Sequence, residues 1–214
     1  MRFDLVIFDC DGVLVDSETI ANEVLAAILN RHGAALSVDD TKQAFIGQSV
    51  YAIRQTALSA FGIALAEDWA TEYYAELLPA LREVKAIPGV RAVVEAMHEN
   101  CVPICVASQG PPQKMQITLG AIGLAPFFGE RVYSANSVPR PKPAPDLFLH
   151  VAAACAADPT RCVVVEDSKT GVTAAVAAGM TVFAYCPPTE AGAMTELGAH
   201  PFHGMGDLVP HLLS

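Results

Sequence analysis

The 214-residue sequence predicts an α/β protein, a doubly wound and mostly parallel sheet with an inserted α-helical cap. Three observations carry that prediction. Short apolar runs rich in β-branched residues alternate with stretches of helical periodicity. These runs are continuous rather than alternating, as in parallel strands covered on both faces. One long stretch, residues 17–86, breaks the pattern with helical periodicity alone and is too long for a simple connection. The expected division is therefore a core of residues 1–16 and 87–214 and a cap of residues 17–86. Hydrophobic residues make up 52% and charged residues 17%, which is material for a core and excludes a disordered chain.

In order, the strands are expected at 3–8, 102–107, 131–134, Cys162–Glu166 and Thr181–Tyr185. Helices between them are expected at Val90–Glu99, 113–124, 145–157 and 171–178. Within the cap, 18–32, 40–45, Val50–Phe61 and 68–84 carry helical patterns. Asp39 or Asp40 and Glu67 or Asp68 are starts, and Gly33 and Gly62 are stops. The tetrapeptide AIPG at 86–89 returns the chain to the core.

The charge of −10, from 13 Lys+Arg against 23 Asp+Glu, argues against nucleic acid and anionic membrane surfaces as partners. No apolar run approaches the roughly 20 residues of a membrane span. The start carries Asp4 and Asp9 within or beside its short apolar stretch, unlike a signal peptide. None of the six cysteines forms a CxxC pair, so reduced thiols and a cytoplasmic location are expected. No oligomeric state is specified.

In open α/β sheets, ligands bind beyond the carboxyl ends of the strands. After the first strand come Asp9 and Asp11, which point the same way on an extended chain. Two such carboxylates repel unless a proton or cation intervenes, and capping a turn would account for only one. After the fourth strand come Glu166 and Asp167. Asp167 or Ser168 could cap the next helix, which leaves Glu166 unexplained. Pooled, the four acids form a hard, oxygen-only set that suits Mg2+, with Ca2+ or Mn2+ as alternatives. The cysteines and the pair His200 and His203 lack zinc-site spacing and context. After the second strand, Ser108-Gln109-Gly110 leads into a helix. A hydroxyl and backbone N–H groups there suit an anion, with a plain N-cap as the alternative. Lys142 sits among prolines that fix its backbone, and Lys142-Pro143 is a candidate cis bond. A phosphate monoester bridged to Mg2+ meets both the cation and the anion demand.

DCDGVLVDSE resembles the first motif of the haloacid dehalogenase superfamily. VASQG, Lys142 within PRPKPAPD, and VVVEDSKTGVTAAVAAGM resemble its second, third and fourth. The order and spacing agree over essentially the whole chain. The helical insert is similar to the cap of the β-phosphoglucomutase-like branch, and SQGPPQKMQ to its bacterial sugar-phosphate phosphatases. The resemblance implies a Rossmann-like core and a phosphorylated small-molecule substrate. It implies Asp9 as nucleophile, through an aspartyl-phosphate, and Asp11 as general acid and base. It places Mg2+ on Asp9, the Asp11 main-chain carbonyl and Asp167, with Glu166 a ligand or just behind one. Ser108 and Lys142 would bind the phosphoryl group, and a cis Lys142-Pro143 bond is expected. Substrate contacts are expected from Gly47, Gln48 and Ser49 in the cap, from Gln109 and Gly110, and, for a distal charge, from Arg54 and Lys114.

Departures from the family pattern choose among chemistries. The dehalogenases lack the second aspartate, present here as Asp11. The mutases carry a cap histidine where this chain has Ala21, and an arginine where it has Val50. A monoester phosphatase needs neither group and is the favoured reading, with a hexose-phosphate mutase as the alternative. A non-enzymatic binding module is disfavoured by the intact set Asp9, Asp11, Lys142 and Asp167.

Overall fold

The structure, a computed structural model, describes residues 3–45, 48 and 50–213. The chain forms two compact units, Met1–Asp16 with Lys85–Ser214, and Ser17–Val84. Among the described residues the first contains all eight strands: β1 (Leu5–Phe8), β2 (Val15–Asp16), β3 (Lys85–Ala86), β4 (Ile104–Ser108), β5 (Val132–Ser134), β6 (Cys162–Glu166), β7 (Thr181–Tyr185) and β8 (His200–Phe202). Six of them form a parallel sheet in the order β5-β4-β1-β6-β7-β8. The other two, β2 and β3, form a short antiparallel ribbon.

The second unit consists of α1 (Glu18–Arg31), α2 (Val38–Phe45), α3 (Val50–Phe61) and α4 (Trp69–Ala80). Leu25, Ile28 and Leu29 of α1 and Trp69, Tyr73 and Leu77 of α4 are buried, and α1 packs on α2 and α4. The Phe45 and Phe61 rings pack 5.7 Å apart. The helix expected at 68–84 ends earlier and tightens into a 3-10 turn over Leu81–Glu83.

The first unit adds α5 (Val90–Glu99), α6 (Pro112–Ala121), α7 (Ala125–Phe128), α8 (Asp146–Ala154), α9 (Lys169–Ala177), α10 (Ala191–Glu196) and α11 (Leu208–Leu213). The helix expected at 113–124 ends at Ala121, and the separate α7 begins beyond it at Ala125. Gly123, at φ 67°, turns the chain out of the first, and Pro126 opens the second. Helix α9 starts two residues early because the Ser168 side chain accepts the Gly171 N–H and caps it. The edge strand β8 and the β2–β3 ribbon are too short for a readable period, and Pro201 suits only an edge.

Every residue of β1, β4 and β6 is buried, as their unbroken apolar character predicts. On one face Leu5, Ile7, Cys105, Ala107 and Val164 pack with Leu147, Phe148 and Val151 of α8 and Val172 and Ala175 of α9. On the other face Phe8 meets Phe128 of α7 edge-on, with ring centroids 6.3 Å apart. From β1 the chain crosses to β4, whereas from β6 it crosses to β7. The two connections diverge, and a crevice opens between the carboxyl ends of β1 and β6. Phe8 pairs with Val165 in register, so the residues that follow, Asp9 and Glu166, lie side by side at that crevice.

Phe8 has no solvent exposure and directly precedes Asp9. Phe8→Ala should destabilise the protein by about 3–5 kcal/mol. Urea unfolding should show this as a lowered midpoint with an unchanged slope.

Candidate active site

Lys142 is the centre of the crevice and is 5% exposed. Its three N–H donors are all used. Nζ donates to Asp9 Oδ1 at 2.6 Å, to Glu166 Oε1 at 2.7 Å and to the Ala107 carbonyl at 3.0 Å. The ammonium also stands 4.9 Å from the centroid of the Phe148 ring. The proline-rich approach delivers this side chain, and the Lys142-Pro143 bond is cis. Burial alone would lower the Lys142 pKa. The Asp9 and Glu166 carboxylates outweigh it, raise the pKa and hold the group charged.

Glu166 is 1% exposed and its second oxygen is also committed. Oε2 accepts from the N–H groups of Asp167 and Ser168 and from Ser168 Oγ, each at 2.9 Å. Glu166 thus faces Lys142 and its own following turn, so the four-acid cluster read from the sequence is divided. The division has a second part. Asp11 Oδ1 accepts from Lys114 Nζ at 2.7 Å.

Asp9 pairs with Lys142, and burial is the main cause that lifts its pKa to about 7. Lys142 opposes the shift, while Glu166 and Asp11 add to it. Burial likewise raises Asp167 well above the carboxylate range, with Glu166 and Asp9 next in effect. Among the described residues the Asp167 carboxylate has no hydrogen bond or ion pair. Gly12 makes room for it. This glycine has φ 79°, and a Cβ there would lie 1.9 Å from Asp167 Oδ2.

Four acids, Asp9, Asp11, Glu166 and Asp167, thus face two lysines, Lys114 and Lys142. The formal balance with all six ionised is −2. The raised pKa values mark Asp9 and Asp167 as the carboxylates on which that charge is least favoured without a further cation. A hard divalent cation on oxygen donors balances that charge, so the donor chemistry fits Mg2+. Among the described residues, no group of three or more His, Cys, Asp and Glu side chains could hold a metal ion by itself. Two acids being turned to lysines accounts for this.

Ser108 is 1% exposed and accepts the Gly110 N–H at 3.0 Å. Ser134 Oγ donates to the Gly110 carbonyl at 2.7 Å, which pins the loop from its other side. The sequence reading missed Ser134; its signal was a hydroxyl residue ending the neighbouring strand, as Ser108 ends β4. Gln109 is exposed. The helix start offers fewer donors than expected, because Pro111 and Pro112 have no N–H.

The cap residues are placed differently. Arg54 Nε donates to the Leu65 carbonyl at 3.1 Å, a tie within its own unit. Gln48 Nε2 donates to the Ala44 carbonyl at 3.0 Å, and Gln48 Oε1 accepts from Thr56 Oγ1 at 2.8 Å. Gly47 and Ser49 lie outside the described residues.

Gly171 gives a direct test of how tightly Glu166 is held. A Cβ at Gly171 would lie 1.7 Å from Glu166 Oε1, whereas one at Gly120 meets nothing within 4 Å. Gly171→Ala should cost about 1–3 kcal/mol by overpacking. Gly120→Ala should stabilise by about 0.5–1 kcal/mol, because alanine is the better helix former. Chemical denaturation of the two variants side by side checks both signs.

With this geometry in hand, the chain can be set beside known proteins. It is 33% identical over 187 residues to the 6-phosphogluconate phosphatase of Escherichia coli K12, covering 86% of this chain and 83% of that protein. It is 31% identical over 185 residues to a fructose-1-phosphate phosphatase of the same organism, covering 84% and 94%. Its structure is similar to a haloacid dehalogenase family hydrolase from Deinococcus radiodurans R1, solved with bound phosphate and sodium. That similarity has a TM-score of 0.82 at 30% identity and covers 100% of this chain and 98% of the other. Residues 3–179 match the haloacid dehalogenase-like hydrolases, and the chain belongs to that family.

Proposed function

We propose that this protein is a Mg2+-dependent phosphatase. It hydrolyses the monoester of a small phosphorylated metabolite, a sugar phosphate or sugar-acid phosphate, through an aspartyl-phosphate. The observation that carries the proposal is the −2 balance at the ends of β1 and β6. Lysine-fixed Asp9 stands there with unpaired Asp167. The phosphatase relatives at 33% and 31% identity and the phosphate bound by the Deinococcus radiodurans hydrolase support the same reading.

The Asp9 and Asp167 carboxylates and the Asp11 main-chain carbonyl would hold the cation. Bound there, Mg2+ would neutralise the carboxylates and draw charge from the phosphoryl oxygens. Lys142 fixes the Asp9 carboxylate and offers its positive charge to the phosphoryl group. An Asp9 oxygen attacks phosphorus, forming the Asp9 O–P bond as the ester P–O bond breaks. The Asp11 side chain delivers a proton to the leaving oxygen. It then takes one from the water that attacks phosphorus, and the Asp9 O–P bond breaks to release inorganic phosphate. Ser108, at the end of β4, would meet a phosphoryl oxygen with its hydroxyl.

Asp9→Asn should reduce kcat by about 10³-fold or more on any phosphate ester, since it removes the attacking group. Retention of wild-type turnover in a steady-state assay would refute the nucleophile. In a panel of phosphorylated metabolites with Mg2+, β-glucose 1-phosphate and its bisphosphate should yield inorganic phosphate. Formation of glucose 6-phosphate would favour the mutase instead.

The Asp9 pKa of about 7 sets a pH dependence for the metal. Below pH 7 the free protein carries a proton that the cation must displace. Affinity should therefore rise as the pH rises through 7, by up to about tenfold per pH unit for each proton that the cation displaces. Calorimetric titration of Mg2+ in two buffers of different ionisation enthalpy should detect proton release near pH 6. Affinity independent of pH from 5.5 to 7.5 would contradict the assignment.

A further inference from the structure

We infer that Lys114 is a positioning residue for Asp11, and that it does not read the distal charge of the substrate. The inference rests on the phosphatase reading above and deepens it, because Asp11 is the group that serves the leaving oxygen there.

The Lys114 side chain is only 14% exposed, and its Nζ lies 2.7 Å from Asp11 Oδ1. Pro111 and Pro112 fix the backbone at the start of α6, which places Lys114 in the first turn. One turn further, Thr118 Oγ1 donates to the Lys114 carbonyl at 3.1 Å and lies 3.7 Å from Cys10 Sγ. Lys114 and Thr118 share one helical face. That face meets two consecutive residues of the loop after β1, Thr118 at Cys10 and Lys114 at Asp11. The segment carrying the reacting groups is therefore held against α6 at two adjacent points.

Gly110 completes the arrangement. A Cβ there would lie 3.3 Å from Lys114 Cδ, 3.4 Å from Ser108 Oγ and 3.7 Å from Asp11 Oδ2. Its N–H is bonded to Ser108 and its carbonyl to Ser134. The aliphatic stem of Lys114 thus runs along a backbone segment pinned on both sides, and its ammonium ends on Asp11. Lys142 cannot substitute, because its donors are committed to Asp9, Glu166 and the Ala107 carbonyl. A lysine this covered and already bonded to a carboxylate is poorly placed for a charge at the far end of a substrate. It is well placed to set the direction of one carboxylate.

Kinetics on aryl phosphates of increasing leaving-group pKa test the inference, alongside crystal structures of the variants. Lys114→Met should lower kcat by about 10- to 100-fold on the poorest leaving groups, as expected when a reacting group loses its alignment. The loss should shrink as the leaving group improves, KM should change by no more than about threefold, and Lys114→Arg should recover part of kcat. In an Asp11→Asn background, Lys114→Met should add little, since residues acting as a unit are not additive. The crystal structure of Lys114→Met should show Asp11 moved or split between conformers.

Full additivity with Asp11→Asn would overturn the inference. So would a rise in KM confined to substrates with a second anionic group, or an unmoved Asp11. The crystallographic comparison decides the matter even if no ester is turned over. A wild-type protein inactive on every phosphate ester would refute the phosphatase reading and leave the ion pair to be judged by structure alone.

Discussion

The buried ammonium of Lys142 is the interaction on which the rest of the site depends. It joins three neighbouring strands at their carboxyl ends, through the Ala107 carbonyl of β4, Asp9 after β1 and Glu166 at the end of β6. A buried ion pair contributes little to net stability, because desolvation offsets much of the attraction. Removing one partner is different, since it strands a charge away from water. The arrangement is therefore better understood as a positional constraint than as a source of stability. The Phe148 ring beside the ammonium and the capped turn that holds Glu166 after β6 both serve the same contact.

That constraint organises the charge around it. Lys142 is shared between Asp9 and Glu166 and Lys114 takes Asp11, which leaves Asp167 without a cationic partner among the described residues. Gly12 and Gly171 are required by the same crowding, because a Cβ at either would overlap a carboxylate oxygen. The overall charge of −10 says nothing about this. Two lysines, Lys114 and Lys142, stand inside this acidic chain at one crevice, so the local field there differs from that of the chain as a whole.

Much of the core was legible because its signals are local. β6 and β7 coincide with their apolar runs, and α5 with its periodic stretch. The rule that ligands gather at strand ends pointed to Asp9, Ser108 and Glu166 before any contact was known. The failures have local causes too. The turn at Gly123 ended α6 short of residue 124, and β2, β3 and β8 were too short to show a period. At the site, Ser134 ends β5 as Ser108 ends β4, a likeness that counts only once strand register pairs the two residues. A sequence likewise does not reveal that Arg54 Nε donates to the Leu65 carbonyl.

The sequence by itself determined the family, the parallel core with its helical insert, and which acids and lysines stand at the strand ends. Those follow from periodicity and from motif order, both of which are written along the chain. Only the tertiary structure decided which charge meets which. Glu166 belongs to Lys142 and the turn after β6, Asp11 to Lys114, and the Asp167 carboxylate has no ionic partner among the described residues. Partner choice depends on distances of a few ångström between residues that lie 24 positions apart for Glu166 and Lys142 and 103 for Asp11 and Lys114. Those distances are set by strand register and by the space that glycines leave, and neither can be read from spacing in the sequence.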